Sequence, residues 1–199
     1  PAVAACRVTD VLAEVRAHLR AHFGLEPDAA SVTFLGTQSF DVLRFGPDDD
    51  GVNHYVSLGC SREPMTDPSE FAADPVRGPR AEVAVALRGP TPSGLARSVA
   101  VLAAAPAVEG LILAPDALVD LGAPLWSGAP FTAFLLGHSE ISNVDLTAPS
   151  DPVAVLSAVP ITPTEAAWVR LKGAEAMREA WRTDGVDVLD PGRRASAPN

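Results

Sequence analysis

The sequence predicts an α/β domain, and two periodic patterns carry this prediction. Apolar residues recur at three- and four-residue steps from 10 to 23, which is the period of a helix with one buried face. Apolar and small or polar residues alternate from 53 to 61 and from 80 to 88, which is the period of a strand. With 199 residues and 47% apolar content, the chain is large enough for one domain with a sizeable core.

The first predicted helix runs from Asp10 to Phe23, with Thr9 as its capping residue and Gly24 as its end. A short connection leads to a strand predicted over 31–35. These elements form the N-terminal part of the domain.

The next two strands form a predicted hairpin over 40–45 and 53–60, because the loop between them is bounded by glycines and contains a proline. Alternation in the second arm predicts a half-buried strand. One face carries His54, Val56, Leu58 and Cys60, and the other carries Tyr55, Ser57, Gly59 and Ser61.

A long proline-rich loop is predicted over 62–79, a length that is often functional in compact domains. A strand with one strongly apolar face follows over 80–88. The dipeptide Thr91-Pro92 is typical of a helix start, so a second helix is predicted from there to Ala104, with Pro106 as its stop.

The second half of the chain contains several apolar segments that predict strands, of which the most apolar is expected to be central. They lie at 111–113, 131–136, 144–147 and 153–159.

The clearest local signal is Thr162-Pro163-Thr164-Glu165, a capping box with proline in the first turn. The helix it starts is predicted to continue to Arg182, followed by a short edge strand over 186–189. One face of that helix is predicted to bury against the sheet: Trp168, Leu171, Ala174, Met177 and Trp181.

These elements predict one domain over 10–190, preceded by an N-terminal extension, residues 1–9, and followed by a polar tail, residues 191–199, that is expected to be disordered. The longest apolar stretch, 99–113, is too short and too interrupted to span a bilayer. The first residues carry no basic leader, so a cytoplasmic protein is expected.

The charge balance argues against nucleic acid and against anionic membranes as partners. The chain has 15 Lys and Arg against 25 Asp and Glu, a formal net charge of −10. Phosphates need a basic surface, whereas an acidic surface favours solubility and steers basic partners inward.

Candidate catalytic and metal-binding groups are few. His18 and His22 have helical ligand spacing but no third ligand. Cys60 and His54 are roughly 20 Å apart along a strand, so they cannot form a catalytic pair. Because Cys60 falls on the apolar side of the predicted strand, it is expected to be a buried, inert thiol. A pairing of Cys60 with His138 stays open. No metal site, nucleotide loop or serine elbow is recognisable, and no cofactor is predicted.

In their order along the chain, these segments resemble the suppressor of fused family in its short, single-domain bacterial form. The resemblance covers roughly residues 10–194, and it depends on the order of the segments rather than on one motif. The matching segments are His54–Ser61, Arg80–Leu87, Leu95–Ala104, Phe131–Leu136, Val159–Glu165 and Val186–Asp190 with Arg193 and Arg194.

The resemblance implies a single twisted mixed β-sheet flanked by about three helices, and a domain that binds proteins without catalysing a reaction. Animal members sequester a transcription factor by holding a short peptide as an added strand between two domains. Bacterial single-domain members are thought to neutralise toxins as immunity proteins. Tyr55 matches a family tyrosine near the peptide, and Asp67 is the nearest match to an acidic residue in the following loop.

The predicted partner-binding residues are therefore Tyr55, Ser57, Gly59, Ser61 and Asp67, since small side chains let another backbone approach and pair. Alternatively, a helix of the same domain covers the Tyr55–Ser61 face. The expected partner is a protein, such as a toxin or a basic peptide segment. The competing hypothesis is a hydrolase or transferase in which His138, Asp145 and a serine or cysteine meet. The oligomeric state stays open.

Overall fold

A computed structural model of the chain describes residues 10–66 and 74–196. The helices of these residues are α1 (Val11–Phe23), α2 (Leu95–Glu109), α3 (Pro163–Lys172) and α4 (Ala174–Asp184). The strands are β1 (Asp28–Val32), β2 (Phe40–Phe45), β3 (Val52–Leu58), β4 (Arg80–Arg88), β5 (Leu118–Asp120), β6 (Ala133–His138) and β7 (Val153–Ile161). A 3₁₀ turn, Cys60–Arg62, follows β3.

The seven strands form one mixed sheet in the order β1-β2-β3-β4-β7-β6-β5. Neighbours within β1–β4 and within β5–β7 are antiparallel, so each half is a run of consecutive strands. The halves join where β4 pairs in parallel with β7, from Arg80–Val153 to Ala84–Ser157. This single mixed sheet with four helices confirms the predicted α+β architecture.

Helices cover both faces of the sheet. The α2 side contacts alternate residues of β4, including Val83 and Val85. On the opposite face, α1 packs over β2 and β3, and α3 with α4 packs over β6 and β7. The prediction that β3 is half-buried was wrong, because both of its faces are covered and only His54 is partly exposed.

Two boundaries near the N-terminus differ from the prediction. Asp10 caps α1, since its carboxylate accepts from the backbone N–H of Leu12 at 3.1 Å and of Ala13 at 3.4 Å; Thr9 lies outside the described residues. The strand β1 lies three residues earlier than predicted, and Leu35 is fully exposed in the following turn. At the start of α1, the Asp10 carboxylate accepts from the free N–H groups that Thr9 was predicted to cap from one residue earlier.

The region around α2 also differs. Pro106 was predicted to stop this helix but lies inside it. A proline removes one backbone donor, and the Pro106 carbonyl still accepts from the Gly110 N–H at 3.0 Å. The apolar segment 111–113 forms no strand, and Leu111 and Ile112 are partly exposed.

The capping box at Thr162 is confirmed, with both reciprocal bonds between Thr162 and Glu165. The helix it starts is shorter than predicted because Gly173 adopts φ 89° and ψ 167°, which separates α3 from α4. Leu171, which was predicted to be buried, is exposed on α3. Val144 makes only an isolated bridge to Val153, and the segment 186–189 forms no strand.

The C-terminal arm, residues 186–196, has no helix or strand but packs against the domain. Arg193 is 6% exposed and lies between the rings of Phe131 and Trp181. Its guanidinium donates to both carboxylate oxygens of Glu165, at 2.7 and 3.1 Å. The sequence placed residues 191–196 in a disordered tail, whereas the structure buries Arg193 and Ser196 there.

Candidate partner-binding groove

A buried carboxylate organises the end of β3. Glu82 on β4 has no exposed surface. It accepts from the Ser57 hydroxyl, from the backbone N–H of Gly59 and of Ser61, both at 2.9 Å, and from the Ser61 hydroxyl at 2.6 Å. All four donors are neutral, and no ion pair with Glu82 forms among residues 10–66 and 74–196. We call this set of residues the Glu82 network.

The Glu82 network ends one strand pairing and starts the 3₁₀ turn. The β3–β4 pairing stops at Val56–Ala84. Beyond it, the Ser57 hydroxyl accepts a hydrogen bond from the backbone N–H of Val83 at 2.9 Å. Gly59 then adopts φ 147°, and a Cβ there would lie 3.0 Å from the Phe40 ring. Only glycine fits this backbone conformation and this close contact.

Burial controls the ionisation of the two titratable groups here. Burial raises the pKa of Glu82, although the bonds from Ser57, Ser61 and Gly59 lower it in part. Burial, and then the nearby Glu82 carboxylate, raise the pKa of the Cys60 thiol well above its usual range. A protonated, 8% exposed thiol is a poor nucleophile.

The structure brings most of the sequence-predicted site residues together but buries them. Tyr55 is 2% exposed, and its hydroxyl donates to the Thr91 hydroxyl at 2.9 Å. Ser57 and Ser61 have no exposed surface and belong to the Glu82 network. Asp67 lies outside the described residues. The role of these residues in binding a partner stays a prediction.

An open groove of about 400 Å³ lies directly beside the Glu82 network. Gly59, Cys60 and the segment 62–66 form one wall, the β1–β2 loop with Phe40 forms another, and the end of α2 forms the third through Ala103, Pro106 and Ala107. We call it the Gly59 groove. Gly59 is the residue of the predicted set that lines it.

The Gly59 groove was not predicted, because its walls come from three distant segments. The sequence contained one relevant signal, the spacing Ser57-x-Gly59-x-Ser61 opposite a strand with a single carboxylate at Glu82. Small polar donors at alternate positions are typical of a site that holds a buried acceptor.

The other candidate groups do not form a catalytic or metal centre in the described part of the chain. There, no cluster of three or more His, Cys, Asp or Glu residues has the geometry of a metal site. His18 instead contacts Ser142. Within residues 10–66 and 74–196, no hydrogen bond joins His138 to Asp145, the pair on which the hydrolase hypothesis depends.

Among the residues that the structure describes, no helix combines the length and the apolar character that a membrane span requires.

Comparison with known proteins identifies one family. The family model of the suppressor of fused protein matches residues 36–194. No curated protein sequence gives a significant match.

Solved structures share the fold. A structure described as a suppressor of fused homologue from Neisseria gonorrhoeae has a TM-score of 0.68 and 20% identity, covering 96% of this chain and 98% of that one. The Sufu–Fu complex gives 0.66 and 17%, covering 93% and 91%. Drosophila suppressor of fused gives 0.67 and 15%, covering 94% of this chain and 51% of that one. At these identities the structural likeness shows the fold alone.

Proposed function

The chain belongs to the suppressor of fused family, and we propose that it binds and sequesters another protein without catalysing a reaction. The partner inserts a polypeptide segment into the Gly59 groove. The Glu82 network holds the groove wall in place from within. One of the related structures is itself a complex, that of Sufu with Fu, which supports a binding role.

The observation that carries this proposal is the composition of the Gly59 groove. Its walls combine turn and loop backbone and small or apolar side chains with polar ones that include Gln38, Arg62 and Glu63, and its one thiol is buried with a raised pKa. The buried Glu82 carboxylate next to it is fully occupied by internal donors. Such a surface favours shape-based recognition of a polypeptide.

The residues predicted from sequence have graded roles in this proposal. Gly59 contacts the partner backbone directly, because it lines the groove. Ser57 and Ser61 act through Glu82 by fixing the turn that carries Gly59. Tyr55 supports β3 through Thr91, and Asp67 keeps the acidic contact that the family resemblance implies.

Within this class we propose an immunity role in the bacterial cytoplasm, in which the sequestered partner is a toxin with a basic surface. The net charge of −10 supports this choice, because an acidic protein attracts a basic one over several ångströms before contact. Neutralisation would result from occlusion of the toxin's working surface.

The experiment is affinity capture from the native host with two matched variants, in each of which one exposed alanine is replaced by tryptophan. Ala107 is exposed on α2 and lines the groove, and Ala107→Trp fills it without touching the core. Ala167→Trp adds the same ring at an exposed position of α3 that does not line the groove. We expect Ala107→Trp to reduce recovery of one specific protein at least about tenfold, as a loss of 1.4 kcal/mol does, and Ala167→Trp to leave it unchanged.

The immunity role has its own test. Co-expression with toxins encoded next to this gene should restore growth with the wild type and with Ala167→Trp but not with Ala107→Trp. Absence of any specific protein partner, together with turnover of a small substrate, would refute the binding function as a whole.

A further inference from the structure

The first strand of the sheet, β1, has an open edge. It stands at one end of the strand order, with β2 as its antiparallel neighbour on one side. Within residues 10–66 and 74–196, no strand pairs with its outer side, and its first four residues are exposed. An edge strand presents a row of unpaired backbone N–H and C=O groups. The chemistry of this edge therefore fits another extended strand.

The opposite edge of the sheet is protected against pairing, whereas β1 is not. At that edge, β5 has three residues, and its Asp120 pairs with Arg170 of α3 at 2.7 Å. Short edge strands and charged side chains discourage pairing with another chain. The strand β1 has five residues, contains no lysine, arginine or proline, and carries small side chains at Ala29, Ala30 and Ser31. Such side chains let a second backbone approach to the strand spacing of about 4.8 Å.

Charge does not keep two copies of the chain apart at this edge, although the whole chain has a net charge of −10. Each acidic residue in or beside β1 forms an ion pair with an arginine: Glu26 with Arg20, Asp28 with Arg44, and Asp41 with Arg16. The edge is therefore locally neutral. An uncompensated acidic edge would favour a basic partner, whereas a neutral edge accepts a second copy of the same chain.

The sequence around β1 is self-complementary in the antiparallel direction. Ala30 is the middle residue of the strand, and an exposed leucine lies five residues before it and another five residues after it. These are Leu25, which is 47% exposed, and the fully exposed Leu35. When two copies of β1 pair antiparallel about Ala30, the start of one strand lies beside the end of the other. Leu25 of each copy then faces Leu35 of the other, as a two-fold interface requires.

We infer that two copies of this chain associate by antiparallel pairing of their β1 edges about Ala30, with Leu25 of each copy against Leu35 of the other. The two seven-stranded sheets then form one continuous sheet. The interface is small, because it consists of one strand pair and the leucines beside it, so we expect a dissociation constant in the micromolar range. The inference does not rest on the proposed function, since it concerns the chain without any other partner.

Analytical ultracentrifugation of the full chain, from about 1 μM to about 1 mM, measures this association. We expect the weight-average mass of the wild type to rise from one chain toward two. Ala30→Glu and Ala30→Lys should each stay monomeric, because two like charges then lie directly opposite each other across the two-fold axis. Mixed in equal amounts, the two variants should associate, because a glutamate then faces a lysine.

The leucines provide a second test with a matched control. Leu35→Ser should weaken association at least about tenfold, since two apolar contacts are lost in each dimer. Leu171→Ser replaces a leucine that is 79% exposed on α3, and it should leave association unchanged.

Three results would overturn the inference. The first is a wild type that stays monomeric at the highest concentration. The second is association of Ala30→Glu or Ala30→Lys alone at the strength of the wild type. The third is a mixture of the two variants that does not associate although the wild type does. Because position 30 is exposed, both variants should keep the circular dichroism spectrum of the wild type, which checks that they are folded.

Discussion

Glu82 and Glu165 are both completely buried, yet the protein stabilises them in opposite ways. Glu82 receives neutral donors only, from Ser57, Gly59 and Ser61. Glu165 receives the Arg193 guanidinium, as well as the Trp181 indole N–H at 2.9 Å. Burial raises the pKa of Glu82. Burial pushes the pKa of Glu165 upward too, but the bonds from Arg193, Thr162 and Trp181 more than offset this, and the pKa is lowered.

The difference shows that burial alone does not determine how a carboxylate contributes to stability. Glu82 can take up a proton without leaving a buried cation behind, because all of its donors are neutral. Protonation of Glu165 would leave Arg193 buried and uncompensated. The ion pair with Glu165 therefore holds the C-terminal arm on the domain, whereas Glu82 fixes the turn that carries Gly59 and lines the groove.

The largest effect is expected for Arg193→Met, which leaves the Glu165 charge buried without a cation. We expect a loss of about 3–5 kcal/mol in the free energy of unfolding, measured by urea titration. Arg194→Met, at the exposed neighbouring position, should be nearly neutral. Adding Glu165→Gln to Arg193→Met should recover part of the loss. A loss below about 1 kcal/mol for Arg193→Met would remove the distinction between the two carboxylates.

A smaller loss, about 1–3 kcal/mol, is expected for Glu82→Gln. The glutamine keeps one acceptor but turns an NH₂ group toward donors that need an acceptor. Urea titration measures the stability, and the backbone amide shift of Gly59 reports on the groove. Glu140→Gln, at an exposed position that does not line the groove, is the control. If Glu82→Gln lowered the free energy of unfolding as much as Arg193→Met does, the neutral donors around Glu82 would stabilise the fold as strongly as the cation beside Glu165.

The pH dependence should have opposite signs at the two sites. Since the folded-state pKa of Glu82 is above the ordinary value of 4.5, this group stabilises the fold at low pH. That contribution is lost as pH rises from 4.5 through the folded-state pKa. Glu165, with a lowered pKa, stabilises the fold above 4.5 and loses this as pH falls.

Unfolding at pH 4 and pH 8 measures this contrast. The difference in free energy of unfolding between the wild type and Glu82→Gln should favour the wild type more at pH 4 than at pH 8. The difference in free energy of unfolding between the wild type and the double variant, Glu165→Gln with Arg193→Met, should favour the wild type more at pH 8 than at pH 4. Equal trends for both variants would contradict the assigned pKa directions.

The smallest effect is expected for an exposed ion pair, Arg88 with Asp187 of the C-terminal arm, in which both side chains are 46% exposed. Asp187→Asn should cost less than about 1 kcal/mol, because solvent and salt screen such pairs. The cost should disappear at high salt. A larger, salt-independent loss would show that the arm is held by more than the Glu165 site.

Local signals were sufficient where the local chain determines the structure. The capping box at Thr162 and the bounds of β2 follow from neighbouring residues alone. Gly173 and Pro106 show the limit: the apolar period continues through the glycine although the helix breaks there, and the proline is tolerated within α2. Tertiary packing, which single-sequence patterns do not contain, decides both cases.

The candidate site could be predicted only in part. The sequence singled out Ser57, Gly59 and Ser61 as one set, and they do converge, but on Glu82 rather than at the surface. A lone glutamate in an alternating strand resembles an exposed position, so Glu82 was missed. Arg193 was missed for a similar reason, because Pro191 and Gly192 beside it are typical of a polar tail.

The parallel seam between β4 and β7 has a consequence for how the chain can be divided. Because β1–β4 with α2 and β5–β7 with α3 and α4 are each contiguous in sequence, a cut after Gly110 separates two pieces without severing any strand. Co-produced as separate polypeptides, the pieces should reassociate along the Arg80–Ala84 ladder, and failure of purified pieces to co-elute would show otherwise. Reconstitution would make this domain a split reporter whose two parts signal when they are brought together.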